Sequence, residues 1–195
     1  MPLRFLLPLL MAASAGLAAA AANETDETSL IVNGCGMWPH AQCQGADLRH
    51  ADLSDRNLAG ADFSGAQMAR VDLRGANLAG ANFDGADLTA ARMNKATAST
   101  ATFRNAKLIG ADMEYVRLIR ADLSGADLTG ANLEAVRANF AWFAGAKLVN
   151  TNLQETKFFT VNFKDADLTG AYRRFTIFPD SFFEGCKGCP VEEWK

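Results

Sequence analysis

Ala46-Asp47-Leu48-Arg49-His50, Ala61-Asp62-Phe63-Ser64-Gly65 and Ala126-Asp127-Leu128-Thr129-Gly130 are three versions of one five-residue unit. Between residues 46 and 170 the chain is built of 25 such units with no insertion. From Leu48 to Leu168 every fifth residue is Leu, Phe or Met except Ala98 and Ala138, and the residue two places earlier is nearly always Ala. A period of five fits neither the 3.6 of a helix nor the 2 of a flat strand, and a helix would scatter the Leu and Phe around its whole circumference. Each unit must therefore contain a turn. With the large apolar residue and the Ala two before it pointing inward, the other three face water and carry the corner. Those three are Asp or Asn, a variable residue, and often Gly.

A slower beat counts the sides. Phe63, Phe83 and Phe103 recur every twenty residues, Leu123 takes the next place, and Phe143, Phe163 and Phe183 resume the series. Stacked twenty-residue turns put residue n under residue n+20 at about strand spacing, ~4.8 Å. Four pentads then close one coil. The inward residues sort into a ladder from Leu48 to Leu168, a second from Leu53 to Leu153, a third running Leu58, Leu78, Ala98, Leu118, Ala138, Phe158, Phe178, and the Phe ladder. A small Ala beside each large residue and a single aromatic wall suit so narrow an interior. The outward residues of the first side run Asp47, Gln67, Asp87, Lys107, Asp127, Lys147, Asp167, and from Asp87 on opposite charges alternate as a stacked repeat favours.

These Ala-(Asp/Asn)-Leu-x-x units resemble the pentapeptide-repeat family over about two thirds of the chain. The resemblance implies an all-β fold, a right-handed quadrilateral β-helix, with four pentads per coil and about six to seven coils here. The departures are local: Arg56 where Ala is expected, later Val and Thr residues at that position, and the two alanines of the third ladder.

Residues 1–22 are of another kind, with Arg4 as the only charge, an apolar stretch from Phe5 and a run of alanines ending at Ala22. They read as a secretory signal peptide cleaved after Ala20 or Ala22. The alternative is an uncleaved anchor, against which Pro8 and the Ala-rich tail argue. Location is then expected to be exported, periplasmic or extracellular, with no stable membrane insertion after cleavage. Losing Arg4 takes the formal charge from −3 to −4, which gives no basic field for nucleic acid.

Four cysteines in an exported chain are expected to pair, and they lie in two clusters, Cys35 with Cys43 and Cys186 with Cys189. About seven coils, some 35 Å, separate the clusters, whereas a disulfide needs Cα atoms within about 7 Å, so only local pairing works within one chain. The expected layout is an N-terminal cap over 23–45, the helix over 46–170 and a C-terminal cap over 171–195, each cap stapled by its disulfide. Cys43 also falls in the register of the Phe ladder. The spacing of Cys186 and Cys189 is used by thiol oxidoreductases, but there it opens a helix after a strand, and nothing here supplies that context. Zinc is disfavoured because the two histidines, His40 and His50, lie at the opposite end. Arg173 stands where the second ladder wants Leu, so the core is expected to fray there, with Phe175, Phe182 or Trp194 folding over the last coil as a lid.

No catalytic, metal or cofactor constellation is present, and aspartates on a convex wall lack the cleft that chemistry needs. One face breaks the monotony. The outward residues of the third side run Asn57, Asn77, Thr97, Arg117, Arg137, Lys157, with Arg120 nearby and Phe140, Trp142 and Phe159 at nominally outward positions next to it. Stacked cations and exposed aromatics together mark a contact surface for an unidentified protein partner or for self-association. The competing reading turns Phe140 inward to fill the gap beside Ala138. Some members of the resembled family mimic duplex DNA and protect a topoisomerase, a role that would need acidic rows where this chain carries basic ones.

Overall fold

The computed structural model describes residues 30–190. The proposed signal segment and Trp194 lie outside the described residues. From Gln42 to Asp167 every fifth residue forms a one-residue parallel bridge to the residue twenty places on, beginning Gln42↔Asp62, Asp47↔Gln67, Asp52↔Asp72 and Asn57↔Asn77 and ending Asp167↔Lys187. Four such bridges complete a circuit, so the chain winds into a four-sided tube. We number its faces by their outward residues: face 1 carries Asp47, face 2 Asp52, face 3 Asn57 and face 4 Asp62. The pentad conformation runs past both ends of the 46–170 span, starting at Ala41 and closing at Lys187.

The corner is a four-residue turn. Leu48 C=O accepts from Ala51 N–H at 3.1 Å, and the third residue, His50, sits at φ 61°. Every fifth residue from His40 to Gly185 shares this left-handed backbone. Glycine takes it at little steric cost, which is why the unit so often ends in Gly.

The Asp or Asn of each unit does more than face water. Its carboxylate or amide oxygen accepts the N–H of the residue two places on, as Asp52 does from Ser54 (3.1 Å), Asp87 from Thr89 (3.0 Å) and Asn162 from Lys164 (2.8 Å). This local bond occupies a corner N–H that the stacking of coils leaves free. Asparagines also ladder between coils, Asn77 donating to Asn57 and Asn152 to Asn132.

Inside the tube the expected ladders stand in line. Phe63 stacks on Phe83 with centroids 5.3 Å apart, and Phe83 on Phe103 at 4.9 Å with planes 5° from parallel. Leu123 interrupts the series, and Phe143, Phe163 and Phe183 resume it at 5.3 and 5.5 Å. Phe158 comes in from the third ladder and meets Phe143 and Phe163 edge-on, filling the space above Ala138. The Thr residues that replace Ala keep their hydroxyls satisfied: Thr151, Thr156 and Thr176 donate to the carbonyls of Leu128, Leu133 and Leu153.

The ends differ. At the N-terminus Ile31–Val32 (β1) and Cys35–Gly36 (β2) form an antiparallel hairpin, and Leu30 and Val32 pack on the core. Cys35 and Cys43 pair with Cα atoms 5.5 Å apart, and Cys43 occupies the interior position. At the other end Cys186 and Cys189 pair across 5.8 Å. The chain passes so close to the wall that a Cβ on Gly188 would stand 2.8 Å from the Thr169 nitrogen. Two expectations need adjusting here. The backbone does not fray at Arg173, because Tyr172, Ile177, Phe182 and Lys187 all bridge to the preceding coil, but the core does thin there: Arg173 is exposed, and Ala171 and Phe183 are only partly buried. Phe175 and Phe182 are not lids, being 67% and 50% exposed: one sits at a corner and the other on an outward rung.

Because the Phe ladder is buried and self-stacked, Phe83→Ala is expected to cost about 3–5 kcal/mol in chemical denaturation, with an exposed control such as Phe182→Ala costing under about 1 kcal/mol. Equal losses would contradict the ladder. The turn carboxylates add a pH dependence. The Arg49 side chain draws the Asp47 carboxyl down to about 2, and the side chains of Ser54, Arg74, Thr89 and Thr169 hold Asp52, Asp72, Asp87 and Asp167 below the usual carboxylate range. Groups depressed on folding stabilise fully above the unfolded value, near 4, and lose that contribution as pH falls toward their folded values. The thermal midpoint is therefore expected to hold from neutral pH to about 5 and to drop below about 4, and the drop should shrink when Asp52, Asp72 and Asp87 are replaced by Asn, which keeps the turn bond without the charge.

Candidate docking face

Face 3 begins as an ordinary wall. Asn57 and Asn77 accept the corner N–H of Ala59 and Ala79 at 3.3 and 3.2 Å and bond to each other. Further along, the same rungs carry Arg117, Arg137 and Lys157, joined by the bridges Arg117↔Arg137 and Arg137↔Lys157. A cation cannot accept an N–H, so each of these rungs forgoes the turn bond, worth about 1 kcal/mol, and sets like-charged residues on rungs about 4.8 Å apart. None of the three joins an ion pair among the described residues. On other faces cationic rungs alternate with Asp, and two of them pair with it, Arg92 with Asp72 at 3.3 Å and Lys147 with Asp127 at 3.7 Å. What sets face 3 apart is an unbroken run of three unneutralised rungs.

Aromatic side chains frame this run on both sides. On the corner toward face 4, Phe140 is 50% and Phe159 37% exposed, and on face 4 itself Trp142 is 54% exposed. Phe140 therefore points outward, with the Arg120 guanidinium 6.0 Å from its ring centre, while Phe158 rather than Phe140 fills the space beside Ala138. On the corner toward face 2 stand Tyr115, 52% exposed, and Phe175. Between them the corner narrows to Ala135, opening a groove of about 410 Å³ lined by Tyr115, Arg117, Ala135, Arg137, Glu155, Lys157 and Phe175. The structure thus brings the three cations together with both aromatic rims.

The second rim escaped the sequence reading. Tyr115 lies in a corner slot that glycine commonly fills, and Phe175 read as a lid. The usable signal was that Tyr115, Phe140 and Phe175 all fall on the fifth position of the unit, where φ is 60° in each. Bulky residues pay of order 1 kcal/mol for that backbone.

The four cysteines lie at the two ends of the tube, away from this face, and Cys186 leads into the bridging residue Lys187 rather than into a helix. Relieving the left-handed corner by Tyr115→Gly is expected to raise stability by about 1 kcal/mol while removing one rim of the groove. A loss of stability in that variant would mean that the ring is held by packing rather than displayed.

The chain matches the family model described as pentapeptide repeats (8 copies) over residues 41–78, 66–105, 99–134 and 136–172. A comparison with curated protein sequences finds no match. Among solved structures it is similar to HetL, a pentapeptide repeat protein involved in heterocyst differentiation regulation from the cyanobacterium Nostoc sp. strain PCC 7120, at 25% identity, covering 74% of this chain and 84% of that one, with a TM-score of 0.35. It is similar also to QnrB1, a plasmid-mediated fluoroquinolone resistance protein, at 22% identity over 75% of this chain and 88% of that one, with a TM-score of 0.46. A pentapeptide repeat protein of the Arabidopsis thaliana thylakoid lumen shares 33% identity over 50% of this chain and 65% of its own length, with a TM-score of 0.28. The unbroken five-residue register, the four-sided tube and the family match agree: the chain belongs to the pentapeptide-repeat family, and its tube is the right-handed quadrilateral β-helix of that family.

Proposed function

We propose that this protein is a non-enzymatic exported scaffold that docks another protein on face 3. The observation that carries the reading is the run Arg117, Arg137, Lys157, which gives up the turn bonds of the repeat, pairs with no carboxylate and lies between exposed aromatic rims. Such residues weaken the free tube, and a partner that neutralises the cations and covers the rings returns the stability. Phe140, Trp142 and Phe159 supply the apolar anchors on one side and the three cations the steering charge. Self-association through the same surface is the variant of this reading in which the partner is a second copy.

Export belongs to the proposal through the signal-like residues 1–22 and the paired cysteines. The two alternatives carried from the sequence fare less well. Mimicry of duplex DNA calls for rows of acid, and face 3 presents cations instead. Thiol exchange at Cys186 and Cys189 finds no helix start to activate the thiol.

A photo-crosslinking residue in place of Asn139, between Arg137 and Phe140, tests the docking face in cells producing the protein at native level. The expected result is a discrete adduct from the exported fraction that disappears in the Arg137→Glu/Trp142→Ala variant. An adduct unchanged in that variant, with the oligomeric state of the purified protein also unchanged, removes face 3 as the docking site.

A further inference from the structure

The backbone of face 3 restricts what can lie on it. The N–H groups of Arg117, Arg137 and Lys157 donate to Ala96, Val116 and Val136 at 3.1, 3.1 and 3.0 Å. The carbonyls of the same three residues accept from Ala98, Leu118 and Ala138 at 2.9, 2.8 and 3.0 Å. No main-chain edge is left for an added strand, which excludes strand addition and favours a polypeptide that brings its own backbone hydrogen bonds already made. An α-helix does so.

Charge spacing points the same way. The cations recur once per rung, at about 4.8 Å, so the two intervals from Arg117 to Lys157 span roughly 10 Å. An extended segment returns a side chain to the same side every ~6.6 Å and overshoots by about 4 Å across two intervals. A helix returns one every turn, ~5.4 Å, and overshoots by about 1 Å, which long Arg and Lys side chains absorb. Tyr115 and Phe175 stand three rungs apart, about 14 Å, room for roughly nine or ten helical residues. Apolar residues flanking an acidic stripe would then meet Tyr115 and Phe175 on one side and Phe140 and Trp142 on the other.

We propose that the occupant of face 3 is an acidic amphipathic α-helix laid along the tube axis, with carboxylates one turn apart over Arg117, Arg137 and Lys157. The inference rests on the reading of face 3 as the docking surface and names the partner's chemistry. Glu155, the one carboxylate in the groove, disfavours acid beside the last rung's corner and admits a basic residue there.

Three peptides of one composition test it: one with Glu at i, i+4 and i+7 bordered by Leu and Phe, one with Glu on alternate residues, and one with the first pattern broken by a central Pro that replaces a terminal Pro in the others. Fluorescence anisotropy against the folded protein is expected to show the first binding at least about tenfold more tightly than the other two. The preference should fall by about tenfold in Arg137→Glu and in Trp142→Ala, each checked for a native circular dichroism spectrum, and weaken with salt. Equal binding of the three peptides, or none, overturns the proposal, and so does preferential binding of polygalacturonate or of anionic phosphatidylglycerol vesicles. Concentration-dependent dimerisation that the first peptide fails to compete away overturns it in favour of a second copy. If the Arg137-dependent crosslink described above persists while the peptides are not distinguished, only the helical identity of the partner fails and the docking face stands.

Discussion

The interaction on which the rest depends is the bridge between a residue and the one twenty places later. Each face contributes a single bridging residue per coil, too short for a conventional strand, and no single bridge would survive alone. The bridges hold because all four faces advance in the same step, so that every inward side chain lands on another inward side chain. Stacked Phe63, Phe83 and Phe103 show the consequence: removing one ring leaves a gap bounded by two others that cannot close without breaking register. A one-dimensional stack of this sort has no core apart from its nearest neighbours.

That step also governs the surface, because whatever occupies an outward position is repeated or contradicted at about 4.8 Å. The usual occupant is Asp or Asn, which closes the corner by taking up its free N–H, and in the carboxylate case a neighbouring cation or hydroxyl steadies the charge. Face 3 follows this rule at Asn57 and Asn77 and abandons it from Arg117 to Lys157. A rule dropped on single rungs of the other faces, as at Arg92, Lys107, Trp142 and Lys147, but on consecutive rungs here, with aromatic residues forced into left-handed corners alongside, is a local loss of stability that folding alone does not explain. Conflict of this kind in a repeat is easier to see than in an irregular fold, since every other coil is a control.

Much of this was legible in the chain itself. The five- and twenty-residue periods place Phe63, Phe83 and Phe103 in one line and Cys43 in the interior, and the structure has them there. Outward placement of Arg117, Arg137, Lys157 and Trp142 follows from the same arithmetic. Phe140 could not be assigned, because a fifth-position residue lies at the corner and the space beside Ala138 offered it an inward alternative. Phe158, inward on the same ladder, packs edge-on against Phe143 and Phe163, and Phe140 stays exposed. The late aromatics misled for a related reason: Phe175 and Phe182 read as a lid when the repeat was taken to end at residue 170, and they are rung and corner residues of a coil that continues.

By itself the sequence determined the period, the number of sides, the identity of the inward ladders and the local partnering of the cysteines, because each depends only on spacing along the chain. Tertiary structure alone decided how the corners are closed, where Phe140 points, and that Tyr115 and Phe175 join the cations of face 3 across a shallow groove at Ala135. Those features depend on the direction of side chains at left-handed positions and on the packing of adjacent coils. A linear pattern carries neither.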